Sequence, residues 1–183
     1  MIVVIGGPPG SGKTTAAELY GRTRGAVLIS GGKLFREMAA EHGMDVVAFS
    51  AHAEKHHEVD RQLDEIVLAA VRRAALGGRD AVVDGRIQAH LLARANVRAF
   101  SVLVSAPLDV RAKRIAEREG KSEKKALGEI LRRERSERER YRAIYDIDLE
   151  DVSVYHLELD STELSPASIV KRIHEGAKAW ARS

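Results

Sequence analysis

"GGPPGSGKTT", residues 6 to 15, is the stretch that decides the fold. Gly7-x-x-x-x-Gly12-Lys13-Thr14 follows the apolar run Ile2 to Ile5 and precedes the helical pattern "KTTAAELYGRTR". Glycines at those positions let backbone N–H groups turn inward and form a concave anion site at a helix N-terminus. A strand, this loop and a helix in that order predict binding of a nucleoside triphosphate by its phosphates. The bland alternative is a glycine-rich turn with no ligand. The match at every required position, in the required setting, argues against it.

Outward from the loop, strand-like runs recur at Ala26 to Ile29, Ala81 to Val83, Ala99 to Val104 and Val154 to Leu159. Between them lie "VDRQLDEIVLAAVRRAAL", "LDVRAKRIAERE" and "SPASIVKRIHEGAKAWA", each apolar on one helical face. Short apolar strands alternating with amphipathic helices predict an α/β fold: a five-stranded parallel sheet in a three-layer, P-loop NTPase arrangement. Pro107 and Pro166 stand where a first helical turn begins, which suits their fixed φ and missing N–H. Two stretches exceed a simple crossover, residues 31 to 78 and 120 to 141. Both read as helical insertions, and both follow the carboxyl end of a strand, where open α/β sheets bind ligands.

The chain of 183 residues reads as one domain, with 44% hydrophobic and 31% charged residues in a globular proportion. It has no cysteine, which excludes disulfides, thiolate catalysis and thiolate metal sites, and fits a reducing cytoplasm. The opening apolar run is too short for a signal peptide, and no segment has the length of a membrane span. A net charge of +3 raises the question of nucleic acid. The basic residues concentrate between 111 and 142, interleaved with acids as on a solvated helix face, and aromatics make up only 4%. No nucleic-acid or membrane partner is expected, and a monomer is.

In the donor site, Gly7, Pro8, Pro9, Gly10, Ser11, Gly12, Lys13, Thr14 and Thr15 would surround the phosphates. Lys13 would reach the β- and γ-phosphates, and the Thr14 hydroxyl would take one position on Mg²⁺. Asp84, in "VVDGR" at the end of the third strand, is placed beside the loop strand and suits a magnesium-bound water. Its alternative is a carboxylate capping the turn before Gly85. Arg36, in "SGGKLFRE", and Arg86, after the third strand, are candidates to clamp an acceptor phosphate in forked hydrogen bonds. The alternative for either residue alone is a surface arginine.

The chain resembles the nucleoside monophosphate kinases, and most closely the archaeal-type cytidylate kinases. The resemblance is carried by "GPPGSGKTT", "SGGxLFRE", "EVDRQLD", "VDGR", "APLDVRAKRIAEREGK" (106 to 121) and "RYRAIYDID" (140 to 148), spread over nearly the whole chain. It implies a core (1 to 30, 79 to 119 and 142 to 183), a monophosphate-binding insertion (31 to 78) and a short helical lid (120 to 141). It implies ATP and Mg²⁺ as donor and cofactor, and CMP or dCMP as acceptor. Arg36, Gly85 and Arg86 match the acceptor-phosphate positions. Arg114, Arg118, Arg133 and Arg140 match the lid arginines, and Asp60, Arg61 and Asp64 lie in the segment facing the acceptor base. Spacing adds that Arg111, Arg114 and Arg118 share one helix face, as do Arg133 and Arg140.

One departure stands out: Lys33 occupies a position where related kinases usually carry aspartate. That could alter affinity, add a phosphate contact or shift the acceptor. It argues against a shikimate-type kinase, which needs an acid there to take a proton from a hydroxyl. Two other readings stay open, adenylate kinase or another small-molecule kinase on the same core, and a nucleotide-binding regulator without transfer. His52 and His56 are spaced as a ligand pair, but without an adjoining carboxylate motif they read as helix surface.

Overall fold

In the computed structural model, which describes residues 1–182, five parallel strands stand in the order β2-β3-β1-β4-β5. They are β1 (Ile2–Gly6), β2 (Val27–Ser30), β3 (Ala81–Gly85), β4 (Phe100–Ser105) and β5 (Leu157–Asp160). Residue 183, the end of the expected 142 to 183 segment, lies outside the described residues. The central strand β1 is buried at every position. Its pleat sends Val3 and Ile5 to one face, against α1 (Lys13–Arg24) and α8 (Pro166–Trp180). Ile2 and Val4 go to the other, against α4 (Glu58–Leu76) and α5 (Gln88–Arg94). A sheet covered on both faces needs apolar residues at successive positions, which is why the strands read as unbroken apolar runs. Each such side chain contributes roughly 1.5–3 kcal/mol by leaving water.

Between β2 and β3 the chain forms α2 (Gly31–Glu41), α3 (Val46–Lys55) and then α4. These three helices enclose a core of their own, with Met38, Phe49, Ala53, Val59 and Leu63. Between β4 and β5 come α6 (Leu108–Glu119) and α7 (Glu123–Tyr145), joined through Ala112, Ile115, Ala126 and Ile130. Ser30, Asp45, Ser122 and Ser165 cap α2, α3, α7 and α8 with side-chain oxygens. Each such cap contributes about 1 kcal/mol.

Beyond shifts of one or two residues at the ends of β2, β3 and β4, three boundaries differ from the sequence expectation. The helix expected to end at residue 141 continues to Tyr145, because 140 to 145 holds neither glycine nor proline. It stops where Asp146 turns left-handed (φ 51°) and Arg94 reaches the carbonyls of Tyr145 and Asp146. Pro107 is the N-cap of α6 and not its first helical residue, whereas Pro166 does open α8. Strand β5 begins at Leu157, since Val154 and Tyr155 pack against the opposite sheet-face core. No helix among the described residues is long and apolar enough to cross a membrane.

Candidate active site

The loop after β1 is shaped by two glycines. A Cβ on Gly7 (φ 148°) would stand 2.1 Å from the Val104 carbonyl oxygen, and one on Gly10 (φ 82°) would meet the backbone of Arg111. The loop ends in Gly12, the N-cap of α1, which is left-handed and supplies no capping side chain. Where α2, α3, α7 and α8 fill their N-termini with a serine or aspartate oxygen, α1 leaves its first amides without a side-chain cap. Such an end attracts phosphate.

A cavity of about 730 Å³ opens on this loop. The backbone from Pro9 to Thr15 forms one end, while Gly7 and Pro8 lie outside its lining. Its walls carry Lys13, Arg36, Arg86, Arg114, Arg118, Arg133 and Arg140 against two carboxylates, Asp84 and Glu137. Six of the arginines singled out from the sequence therefore line one space, brought there from α2, the turn after β3, α6 and α7, while Arg61 and Arg111 stand outside it. Seven cations against two anions, with phosphate-shaped backbone at one end, suit a polyanionic ligand. Phe35, Val46 and Leu63 add apolar wall from α2, α3 and α4.

Lys13 is buried, and desolvation lowers its pKa to about 8, with Asp84 opposing and Arg133 and Arg86 adding to the fall. Asp84 pairs in register with Ile5 beside the loop strand. Its Oδ2 accepts from Thr14 Oγ1 (2.9 Å) and Ser30 Oγ (3.0 Å). Its Oδ1 is buried without a partner, as expected of an oxygen that serves a water or cation brought by a ligand. No group of three or more metal-capable side chains occurs among the described residues. His52 and His56 stack at 4.1 Å, and His56 bonds Glu58.

The arginines are held in different ways. Arg114 is turned onto the loop after β5, donating to Ser161 Oγ (2.9 Å), the Ser161 carbonyl (2.6 Å) and the Thr162 carbonyl (3.3 Å). Arg118 stands exposed beside Glu119. Arg111, on the same helix face, is buried instead: it donates to the carbonyls of Ala106 and Pro9 and to Glu134 on α7. Arg140 is buried against Asp60 of α4. Arg86 and Arg133 both donate from Nε to Glu137, each at 2.7 Å.

Asp60, Arg61 and Asp64 do not line the cavity. Arg61 is exposed, Asp60 is taken by Arg140, and Asp64 accepts from Tyr145 (2.7 Å) and Gln88 (3.1 Å). The two aspartates, four residues apart, share a face of α4 that binds α7. Burial is the largest influence on both and raises their pKa values, that of Asp64 to about 7. From the same segment it is Leu63 that reaches the cavity, and Gln88 reaches it from α5. Lys33 does not: its side chain is 71% exposed and sits 3.6 Å from Glu37.

Glu137 and Gln88 escaped the sequence reading. Glu137 stands in "RERSERER", where interleaved acids look like solvent-facing partners. A signal existed: Ala126, Ile130, Glu137 and Tyr141 follow helical spacing, and all four are buried.

A model of the cytidylate kinase-like family matches residues 2–163. The chain is 40% identical over 174 residues to a cytidylate kinase of Pyrobaculum aerophilum, covering 93% of this chain and 89% of that one. It is 41% identical over 163 residues to a cytidylate kinase of Methanothermobacter thermautotrophicus, covering 88% and 95%. Among solved structures, an uncharacterized protein from Eubacterium ventriosum superposes with a TM-score of 0.72 at 19% identity, covering 98% of this chain and 99% of that one. Shikimate kinase from Bacteroides thetaiotaomicron superposes with a TM-score of 0.57 at 15% identity, covering 97% and 98%, a likeness of fold.

Proposed function

The chain belongs to the cytidylate kinase-like family, and from that premise we propose that it phosphorylates CMP or dCMP with ATP, releasing ADP. One observation carries the reading: a single cavity joins the phosphate loop to six arginines and an apolar wall. That is room and charge for a triphosphate and a monophosphate end to end.

ATP lies with its phosphates on the amides from Gly10 to Thr15, and Lys13 follows the charge that moves toward the leaving β-phosphate. Thr14 and Asp84 would hold Mg²⁺, which would supply positive charge to the transferring phosphates. The orphaned Asp84 Oδ1 beside the Thr14 hydroxyl fits that part. Two protein groups plus phosphates is the usual share for a Mg²⁺ site. Arg36 and Arg86 hold the acceptor phosphate, and Gly85 leaves room for the Gln88 side chain, whose oxygen would stand 1.8 Å from a Cβ there. The nucleoside rests on Phe35 and Leu63, where the Gln88 amide offers a polar edge. Arg133 and Arg140 bring charge from α7, and Arg114 and Arg118 from α6, with residues 31 to 78 and 120 to 141 acting as the two flaps.

A monophosphate's second pKa is about 6, so its attacking oxygen is already ionised near neutrality. No general base is needed, and none is required of position 33. Catalysis reduces to alignment and charge neutralisation. Lys33, the one feature that favoured a regulator without transfer, points away from the cavity.

The test is ADP release measured over a panel of nucleoside monophosphates. CMP or dCMP should be the best acceptor. Much faster use of AMP would move the chain to adenylate kinase chemistry, and stimulation by none of them would end the kinase reading.

A further inference from the structure

We propose that Glu137 is a positioning residue that sets Arg86 and Arg133 as one receptor for the acceptor and transferring phosphates. The inference rests on the reading of the cavity as the site of phosphoryl transfer.

Arg86 is anchored just after β3, whereas Arg133 stands on α7, and Glu137 binds the two at once. An i,i+4 pair such as Arg133 and Glu137 is ordinarily a solvated surface contact of little consequence. Here the carboxylate side chain is only 6% exposed, and its second oxygen reaches a different part of the fold. Both arginines give Nε, and neither makes another hydrogen bond among the described residues. Their terminal Nη groups have no hydrogen-bond partner among the described residues, in side chains that line the cavity. A guanidinium held at Nε can still present its Nη pair to phosphate oxygens.

The charge balance agrees. Burial pushes the Glu137 carboxyl up, but Arg133 and Arg86 override this and hold it down to about 2. It is therefore ionised throughout the working range and neutralises one of the two arginines. One positive charge is left for substrate, with both guanidiniums fixed in place before any ligand arrives. Preorganised charge of this kind acts without reorganisation at the moment of transfer. Glu137 itself need not touch either substrate.

The test is a pair of double-mutant cycles. Glu137→Gln keeps the shape but can accept from only one arginine. Alone, it should raise the acceptor KM and lower kcat, each by about tenfold or more. In an Arg86→Ala background the same change should move KM by no more than about twofold, because the arginine it acts through is gone. In an Arg133→Ala background the effect on kcat should shrink likewise. Equal factors in all backgrounds, or wild-type kinetics for Glu137→Gln alone, would overturn the proposal. Folding of each variant is checked by thermal melting. Should Glu137→Gln not fold, Glu137→Asp keeps both oxygens but withdraws them by one methylene, and passes through the same cycles with the same outcomes decisive. The wild-type control separates the two readings: if it does not phosphorylate CMP the proposed function fails, and if it does while the cycles are additive only the role of Glu137 fails.

Discussion

The Arg140 Nε lies 2.9 Å from the Asp60 Oδ2, with both side chains almost fully buried, at 6% and 2% exposure. This pair locks α7 to α4, and so ties the helix beyond α6 to the helical stretch between β2 and β3. Burial raises the Asp60 pKa despite Arg140, so the pair itself adds little net stability.

Breaking the pair is another matter, since one partner would be left charged in the interior. Asp60→Ala should destabilise the fold by about 3–5 kcal/mol, whereas the double replacement Asp60→Leu with Arg140→Met should be near neutral for stability. Urea denaturation of the three proteins checks this. A loss below about 1 kcal/mol for Asp60→Ala would mean that water reaches Arg140.

Lys13 should couple nucleotide binding to protons. Its pKa near 8 in the empty site means that it is partly neutral at pH 8, and a triphosphate beside it favours the charged form. ATP binding at pH 8 should therefore take up a fraction of a proton, and at pH 6.5 almost none. Calorimetry in buffers of different ionisation enthalpy reads the uptake directly. Lys13→Ala should abolish it and cut kcat by roughly a hundredfold or more. Proton release at pH 8 would contradict the assignment.

The two arginines on Glu137 should separate in kinetics. Arg86→Ala should raise the acceptor KM, because this arginine is proposed to hold the phosphate both before and during transfer. Arg133→Ala, exposed at the cavity wall, should chiefly lower kcat. Loss of a charge-assisted hydrogen bond predicts about ten- to two-hundred-fold in either parameter. Steady-state rates with both substrates varied decide it, and a silent Arg133→Ala would return α7 to the status of a solvated helix.

Asp64 should tilt stability with pH. Its folded pKa of about 7, raised by burial, exceeds the unfolded value near 3.8. Between those values the folded state holds a proton that the unfolded state has released, so this contribution is complete below about pH 4 and is lost as pH rises toward 7. Asp64→Asn should remove that slope. Relative to wild type, the variant should gain stability from pH 4.5 to pH 8 in urea melts. A difference that stays flat would show Asp64 ionised throughout.

Much of this was legible in the residues because it is governed by local rules. Gly7, Gly10 and Gly12 announce their loop since no other residue takes their backbone geometry without strain. Apolar runs mark the strands because both sheet faces are covered. The end of α7 was misplaced because its stop is tertiary, made by Arg94 on distant carbonyls and by the packing of Tyr141 and Ile147.

What the sequence determined by itself is the donor half: strand, loop and helix are contiguous, so Lys13, Thr14 and their amides come with their neighbours. Only the tertiary structure decided how charged side chains far apart in the chain are shared out. Asp60 and Asp64 face α7, Lys33 faces water, and Glu137 faces two arginines, yet in sequence each is one acid or base among many. Pairing depends on which helix faces meet, and a charge written in a string carries no mark of whether its partner will be water, a phosphate or another side chain.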